Sequence, residues 1–411
     1  MDDTTPTSPA PSADALIERA KALVPSLLER APETERLGHI HPESIKELKE
    51  NGLFRICQPK LYGGYEMSYT TLLEIAIELG RGCCSTGWVF ENNAMHNLIL
   101  SSFSKEMQDE FWGNGHAERL CATGWSSFHS KLVPVEGGYR ATGHWEFNSG
   151  MQNCDAVMVL APVEGRSLPG GIPEMRFSVM YKDSGDFEIL DSWDVVGLVG
   201  TGSTNCRAED VFIPEHRTMA AADGNRHAAP GERVPLQGAG VHDSAWYRVP
   251  LFTYFPQSVA PCLIGAAEGA LEHTLERLET RTNLVGMRLD ETQAVQLRLA
   301  EAATKIECAR SLHLGSVREM EEYAARWEEP DELTRGRWHG NAAYSAKLAY
   351  EVVSSLFYRG GAHGIYNEDR LARIYRDVGA GVTHLATDWE MAGSIYGKAL
   401  LGISTQGIPL H

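Results

Sequence analysis

The run Lys131 to Gly150, KLVPVEGGYRATGHWEFNSG, is where the chain changes period. On both sides of it apolar residues recur every three or four positions, whereas here short β-prone runs follow one another. Leu132 to Val135 and Tyr139 to Thr142 are separated by the Gly137-Gly138 turn. Ala156 to Pro162, Phe177 to Tyr181 and Phe187 to Leu190 continue the series across Gly170-Gly171 and Asp183-Ser184-Gly185, and Val211-Phe212-Ile213-Pro214 closes it. No helical stretch alternates with these runs. The expectation for 119–217 is a small antiparallel sheet or barrel rather than a parallel sheet.

Working outward, the N-terminal side reads as helices. Ala15 to Leu28 and Pro42 to Leu53 carry helical spacing, which Pro59 and Gly63-Gly64 interrupt. The spacing resumes from Tyr69 to Leu79 and from Thr86 to Leu100, and Ser104 with Glu106 and Asp109 opens a further short helix. On the other side, 218–243 is a Gly/Pro/His-rich connector. Four long amphipathic segments follow at about 257–282, 290–326, 332–359 and 368–402, the pattern of a bundle. The organisation expected is a disordered tail at 1–13, a helical domain at 14–118, a β-domain at 119–217, the connector, and a helical bundle at 244–411. That is an α+β chain.

Composition narrows the function. A formal charge of −18 disfavours nucleic acid and anionic membrane surfaces, both of which need clustered Lys and Arg. No apolar run approaches the roughly 20 residues of a membrane span. The polar start, Met1 to Ala13, does not read as a signal peptide. Eight cysteines without a Cys-x-x-Cys pair suggest reduced, mostly buried thiols in a cytoplasmic protein, and the vicinal Cys83-Cys84 is read the same way before any redox role.

Several short signals carry little. Gly200-Thr201-Gly202-Ser203-Thr204-Asn205 begins like a dinucleotide fingerprint but ends on Asn205 and leads into a strand. Ser102-Phe103-Ser104-Lys105 is too short a pattern to assign. His39 and His41 flank a turn, and no His/Cys/carboxylate cluster has metal-site spacing, so no metal is implied.

From about Ile45 to Gly402 the order of the three regions and several motifs resemble the acyl-CoA dehydrogenase superfamily. The closer resemblance is to the flavin-dependent oxygenases on that scaffold, which include p-hydroxyphenylacetate hydroxylase oxygenases, steroid-ring phenol hydroxylases and dibenzothiophene monooxygenases. The loop Gln58 to Gly64 and the stretch Gly82 to Phe90 (GCCSTGWVF) carry part of it. The resemblance implies that Trp88 and His96 lie near flavin and substrate. In Gly143 to Gly150 (GHWEFNSG), the residue matching Ser149 is, in the dehydrogenases, a threonine bonded to flavin N5. Cys121 to Ser127 (CATGWSS) matches a strand that contacts the flavin ring, which implicates Thr123 and Gly124, here standing where the hydroxylases carry consecutive serines. Ser203 matches a loop bordering the active site. Arg281-Thr282-x-x-x-Gly286 resembles an element whose Arg reaches the flavin phosphate of another subunit, with Leu284-Val285 in place of its aromatic.

The segment Arg376-Asp377-Val378-Gly379-Ala380-Gly381-Val382-Thr383-His384-Leu385 decides between activities. Leu385 and Phe255 occupy the two positions where relatives of the dehydrogenase type carry a catalytic Glu, so the α-proton base is missing. His384, one residue earlier, matches a histidine that the monooxygenases hold beside flavin and substrate. The resemblance therefore implies the oxygenase component of a two-component monooxygenase, with His384, His96 and Ser149 as its catalytic residues. Reduced FMN or FAD would come from a separate NAD(P)H:flavin reductase and react with O2 through a C4a-hydroperoxide. A small aromatic, phenolic substrate leads, with N- or S-oxygenation, a dehydrogenase with a relocated base and a non-catalytic flavin-binding protein as the other readings. Trp88, Trp125 and Phe255 would help exclude water. Relatives are homotetramers through the C-terminal bundle.

Overall fold

The first helix is longer than its sequence pattern. In the computed structural model, which describes residues 10–125, 129–223, 241–242, 244–282 and 286–405, Ser12 accepts the amide of Ala15 and starts α1 (Ala13–Leu37), which ends at Gly38 with φ +70°. It continues through Pro25 and Pro32 because Leu16, Ala20, Val24, Leu27 and Ala31 form one buried stripe that docks on the helix Tyr69–Gly82. Burial of that stripe outweighs two missing backbone hydrogen bonds. Of the tail expected at 1–13, residues 1–9 lie outside the described residues.

Helices α2 (Pro42–Glu50), α3 (Tyr69–Gly82), α4 (Cys84–Leu100) and α5 (Lys105–Trp112) complete the N-terminal region. Nearly every residue of α4 is buried, including Glu91, Asn93 and His96. A helix buried on all sides sits inside its protein, and α4 lies between α3, the C-terminal helix Ala260–Leu278 and the sheet. This places Trp88 and His96 against the β-region.

The strands are β1 (Cys121–Gly124), β2 (Lys131–Val135), β3 (Gly138–Asn148), β4 (Ala156–Ser167), β5 (Pro173–Tyr181), β6 (Glu188–Ile189), β7 (Thr204–Pro214) and β8 (Thr218–Ala220). They run β6-β7-β3-β2-β4-β5-β8, with β1 on β4. The purely antiparallel sheet expected from sequence is corrected here: β1 pairs β4 in parallel from Cys121↔Ala156 to Gly124↔Val159, and Leu132 of β2 pairs Val163 of β4 in parallel. The intervening β2–β3 hairpin provides the crossover that a parallel pair requires, so no helix is needed. β8 falls within the span read as connector and pairs β5. Residues 224–240 and 243 of that connector lie outside the described residues.

The C-terminal region comprises α6 (Leu251–Tyr254), α7 (Ala260–Leu278), α8 (Gln293–Arg326), α9 (Glu332–Arg359), α10 (Arg370–Gly381) and α11 (Trp389–Leu400). The segment read as one helix over 368–402 is broken between α10 and α11. Thr383 and Thr387 bond back to the carbonyls of Ala380 and Gly381, and Asp388 caps a new helix by accepting the amides of Glu390 and Met391. His384 sits in that break. Among the described residues no helix is long and apolar enough to cross a membrane.

Candidate active site

Trp88 lies on the face of α4 turned toward the end of β3, and its indole N–H donates to Ser149 Oγ at 3.1 Å. Ser149 is positioned by the tight turn after Asn148, where Gly150 adopts φ +75° and a Cβ would come within 2.7 Å of Val89 Cγ1. Ser149 Oγ is 2.8 Å from Ser203 Oγ, which is 2.7 Å from Thr201 Oγ1. Thr201 Oγ1 donates to the carbonyl of Leu198 at 2.8 Å. A line of hydroxyls thus runs from the indole into the loop that opens β7. That loop is fixed from α10: buried Asp377 accepts the Leu198 amide at 2.7 Å, and a side chain at Gly197 would collide with the carbonyl of Arg376. Burial raises the Asp377 carboxyl to about 7.

His96, two turns along α4 from Trp88, is fully enclosed. Nδ1 stands 2.6 Å from the carbonyl of Cys121, so it carries the proton and donates. Nε2 is then an acceptor and takes the Thr123 hydroxyl at 3.1 Å. Burial holds the ring neutral, with its pKa pushed down to about 4. Both nitrogens are engaged within the chain, so His96 orients Thr123 and ties α4 to β1.

His384 has the opposite arrangement. Its Nδ1 accepts the amide of Ala386 at 3.2 Å, which puts the ring proton on Nε2. Nε2 makes no hydrogen bond among the described residues, and the ring is only partly buried. Its edge meets Trp88 at 5.3 Å and 87°, and Phe255 is 6.0 Å away. Burial among these rings drives its pKa down to about 4. Phe255 in turn lies 4.4 Å from Trp125, whose indole N–H is buried without a partner among the described residues.

Phe255 and Leu385, at the two positions where the dehydrogenase resemblance would put a carboxylate base, therefore stand beside His384 as apolar groups. A second buried carboxyl, Glu91 on α4, is tied to the segment that opens the next helix. It accepts the amide of Val259, a β-branched residue held at φ +65°, and burial raises its pKa to about 8.

The structure brings Trp88, Ser149, Ser203 and His384 together and sets His96, Thr123 and Gly124 at the adjoining end of β1. Arg281 is not part of this group. It lies beyond the far end of α7, whose 19 residues rise roughly 28 Å from the Phe255 end. There it donates to the Gly360 carbonyl at 2.6 Å and shares a cleft with Arg277, Arg298 and Arg359. Ser126 and Ser127 of the CATGWSS stretch lie outside the described residues.

Two features escaped the sequence. Thr201 was visible only inside a discarded fingerprint. Phe147 holds φ +62° at an irregular point in the β3–β7 pairing and is 65% exposed, with Trp193 as its ring neighbour at 6.3 Å. A strained, exposed aromatic two residues from Ser149 has the character of a ligand surface. Alternation in a strand gives no signal for it.

The sequence matches the acyl-CoA dehydrogenase N-terminal domain over residues 11–118 and the acyl-CoA dehydrogenase C-terminal domain over residues 258–389. The oxygenase subunit HsaA of a flavin-dependent monooxygenase from Rhodococcus jostii (strain RHA1) is 33% identical over 395 residues, covering 94% of this chain and 98% of that one. The oxygenase component of p-hydroxyphenylacetate 3-hydroxylase from Acinetobacter baumannii is 29% identical, covering 96% and 91%. The crystal structure of the HsaA monooxygenase from M. tuberculosis superposes with a TM-score of 0.88 at 28% identity, covering 98% of this chain and all of that one. The fold is that of the acyl-CoA dehydrogenases. Within it, the chain belongs to the oxygenase components of flavin-dependent monooxygenases.

Proposed function

We infer that this chain binds reduced flavin delivered by a separate NAD(P)H:flavin reductase and hydroxylates a small phenolic substrate. The observation that carries this reading is the pairing of His384 Nε2–H, which has no hydrogen-bond partner among the described residues, with the Trp88–Ser149 hydrogen bond across one indole ring. The residues fit a flavin: Ser149 Oγ retains a lone pair, Phe147 offers an exposed ring, and the Trp125 N–H is an unmet buried donor. When bound, the reduced flavin supplies two electrons and activates O2. One oxygen atom goes to a ring carbon of the substrate and the other leaves as water.

The chain's own groups have separate tasks. Ser149 would hold the polar edge of the flavin and Phe147 its face. Thr123 and the Gly124 backbone would border the same ring, with His96 keeping Thr123 in place. Phe255, Trp125 and Trp88 would exclude water. His384 acts as a donor. The Ala386 amide occupies Nδ1, so the neutral ring offers Nε2–H to the substrate oxygen and favours its phenolate form. A phenolate is the more electron-rich ring. Arg281 and its neighbouring arginines lie too far away to touch the same ring edge and suit a flavin phosphate, presented by another subunit of a homotetramer. FMN and FAD share that chemistry.

The test is to mix protein and reduced flavin, prepared without oxygen, with aerated buffer in a stopped-flow spectrometer and to assay phenols for hydroxylation. An absorbance transient that precedes the oxidised flavin spectrum, together with a hydroxylated product, is expected. Immediate reoxidation without a transient, or bleaching of bound oxidised flavin by an acyl-CoA thioester, overturns the reading in favour of a dehydrogenase.

A further inference from the structure

The hydroxyl line behind Ser149 has a direction that the individual contacts do not state. Trp88 Nε1 can only donate, so Ser149 Oγ accepts from it. At the other end the Leu198 carbonyl can only accept, and Thr201 Oγ1 stands 2.8 Å from it. Without a proton between them, two oxygens that close would repel, so the Thr201 hydrogen is committed to Leu198. Thr201 must then accept from Ser203, and Ser203 must accept from Ser149. Each hydroxyl has one hydrogen, and all three are assigned. What Ser149 has left is one lone pair and no proton.

The two ends of the line are anchored independently. Trp88 is held on the buried helix α4. Leu198 is held by its amide on Asp377 of α10, and its carbonyl also takes the Thr201 amide at 3.0 Å and the Trp193 indole at 3.2 Å. Reversing the line would leave the Thr201 and Leu198 oxygens in bare contact.

An acceptor-only Ser149 selects a ligand atom that bears a hydrogen. The two redox states of a flavin differ at N5, which carries a hydrogen when reduced and a bare lone pair when oxidised. We propose that Thr201 and Ser203 are positioning residues that commit the Ser149 proton inward, so that the site accepts a hydrogen bond from reduced flavin and repels the oxidised form. This rests on the flavin reading of Ser149 given above. It extends that reading to how the site takes reduced flavin from solution and lets the oxidised product leave.

The experiment is an anaerobic titration of the full chain with reduced and with oxidised FMN and FAD, for the parent, Ser203→Ala, Thr201→Val and Thr201→Ser. In Ser203→Ala the Ser149 hydrogen loses its acceptor. In Thr201→Val the Ser203 hydrogen is released and can turn toward Ser149. Either change frees Ser149 to donate. The parent should bind reduced flavin more tightly. The ratio of oxidised to reduced Kd should narrow about tenfold in Ser203→Ala and Thr201→Val, the worth of one hydrogen bond. The midpoint potential of bound flavin should fall correspondingly by about 30 mV, while Thr201→Ser keeps the parent ratio. Thr201→Val removes the hydroxyl at similar side-chain size, and Thr201→Ser keeps it, so the test does not rest on the alanine variant alone. If both variants bind reduced flavin and keep the parent ratio, the proton assignment is wrong. A parent that binds neither redox form overturns the flavin reading itself, and this inference with it.

Discussion

His96 in the interior of α4 and His384 in the break between α10 and α11 are held neutral by the same force and used differently. Burial pushes both pKa values down to about 4. His96 spends Nδ1 on the Cys121 carbonyl and Nε2 on Thr123, whereas His384 spends only Nδ1, on the Ala386 amide. A regular helix surrounded by a sheet supplies partners for both ring nitrogens. A helix break supplies one and leaves the other for a ligand. The comparison teaches that a helix break can leave open a ring nitrogen of the kind that a regular buried helix engages.

The largest break of this comparison should come from His384→Ala. Loss of a hydrogen bond to a charged oxygen predicts a fall in hydroxylation of up to about 100-fold. Flavin oxidation should continue, with its electrons appearing in hydrogen peroxide. Product yield per flavin equal to the parent's would remove His384 from the mechanism. His96→Ala should instead show itself in stability, with a loss of about 3 kcal/mol in urea unfolding from the cavity and the lost hydrogen bonds to the Cys121 carbonyl and the Thr123 hydroxyl. Near-parent stability with severed product coupling would make His96 a direct participant.

The pH dependence of stability sharpens the contrast between the neutral rings and the buried acids. A histidine that stays neutral when folded, with its folded pKa lowered from 6.5 to about 4, contributes its full stability above 6.5 and loses it as pH falls toward 4. Glu91 has the reverse sign. Its folded pKa is raised from 4.5 to about 8, so stability declines as pH rises through that window. Glu91→Gln keeps an acceptor for the Val259 amide and should flatten the alkaline slope in urea unfolding measured from pH 5 to 9, leaving the acid slope intact. A variant as steep as the parent would show that Glu91 is ionised in the fold. The smallest effect belongs to Trp88→Phe, which keeps the ring against His384 and removes one hydrogen bond to Ser149. About 1 kcal/mol of affinity for reduced flavin should be lost. An unchanged affinity would take the indole N–H out of the binding site.

Much of this was legible in the residues. Helical spacing on either side of a β-region, the GHWEFNSG and CATGWSS motifs, and the apolar Leu385 and Phe255 pointed to the scaffold and to the absence of the dehydrogenase base. The sequence missed where helical periodicity continues through a defect or stops without one. Pro25 and Pro32 did not end α1, because its buried stripe is long enough to hold it. The 368–402 pattern concealed the break at His384, because apolar spacing resumes on the other side and only the capping by Thr383, Thr387 and Asp388 marks it.

By itself the sequence determined the class of elements, their order and the residue types available to the site, since periodicity and side-chain chemistry are local. The tertiary structure alone decided that His96 has both ring nitrogens engaged and His384 only one, which way the Ser149 proton points, and that Phe147 stands exposed at a strained backbone position. Those are matters of which donor meets which acceptor across α4, β1, β3, the loop before β7 and the α10–α11 break. Hydrogen bonds between segments so far apart in sequence leave no trace in spacing, because each partner is chosen by the fold.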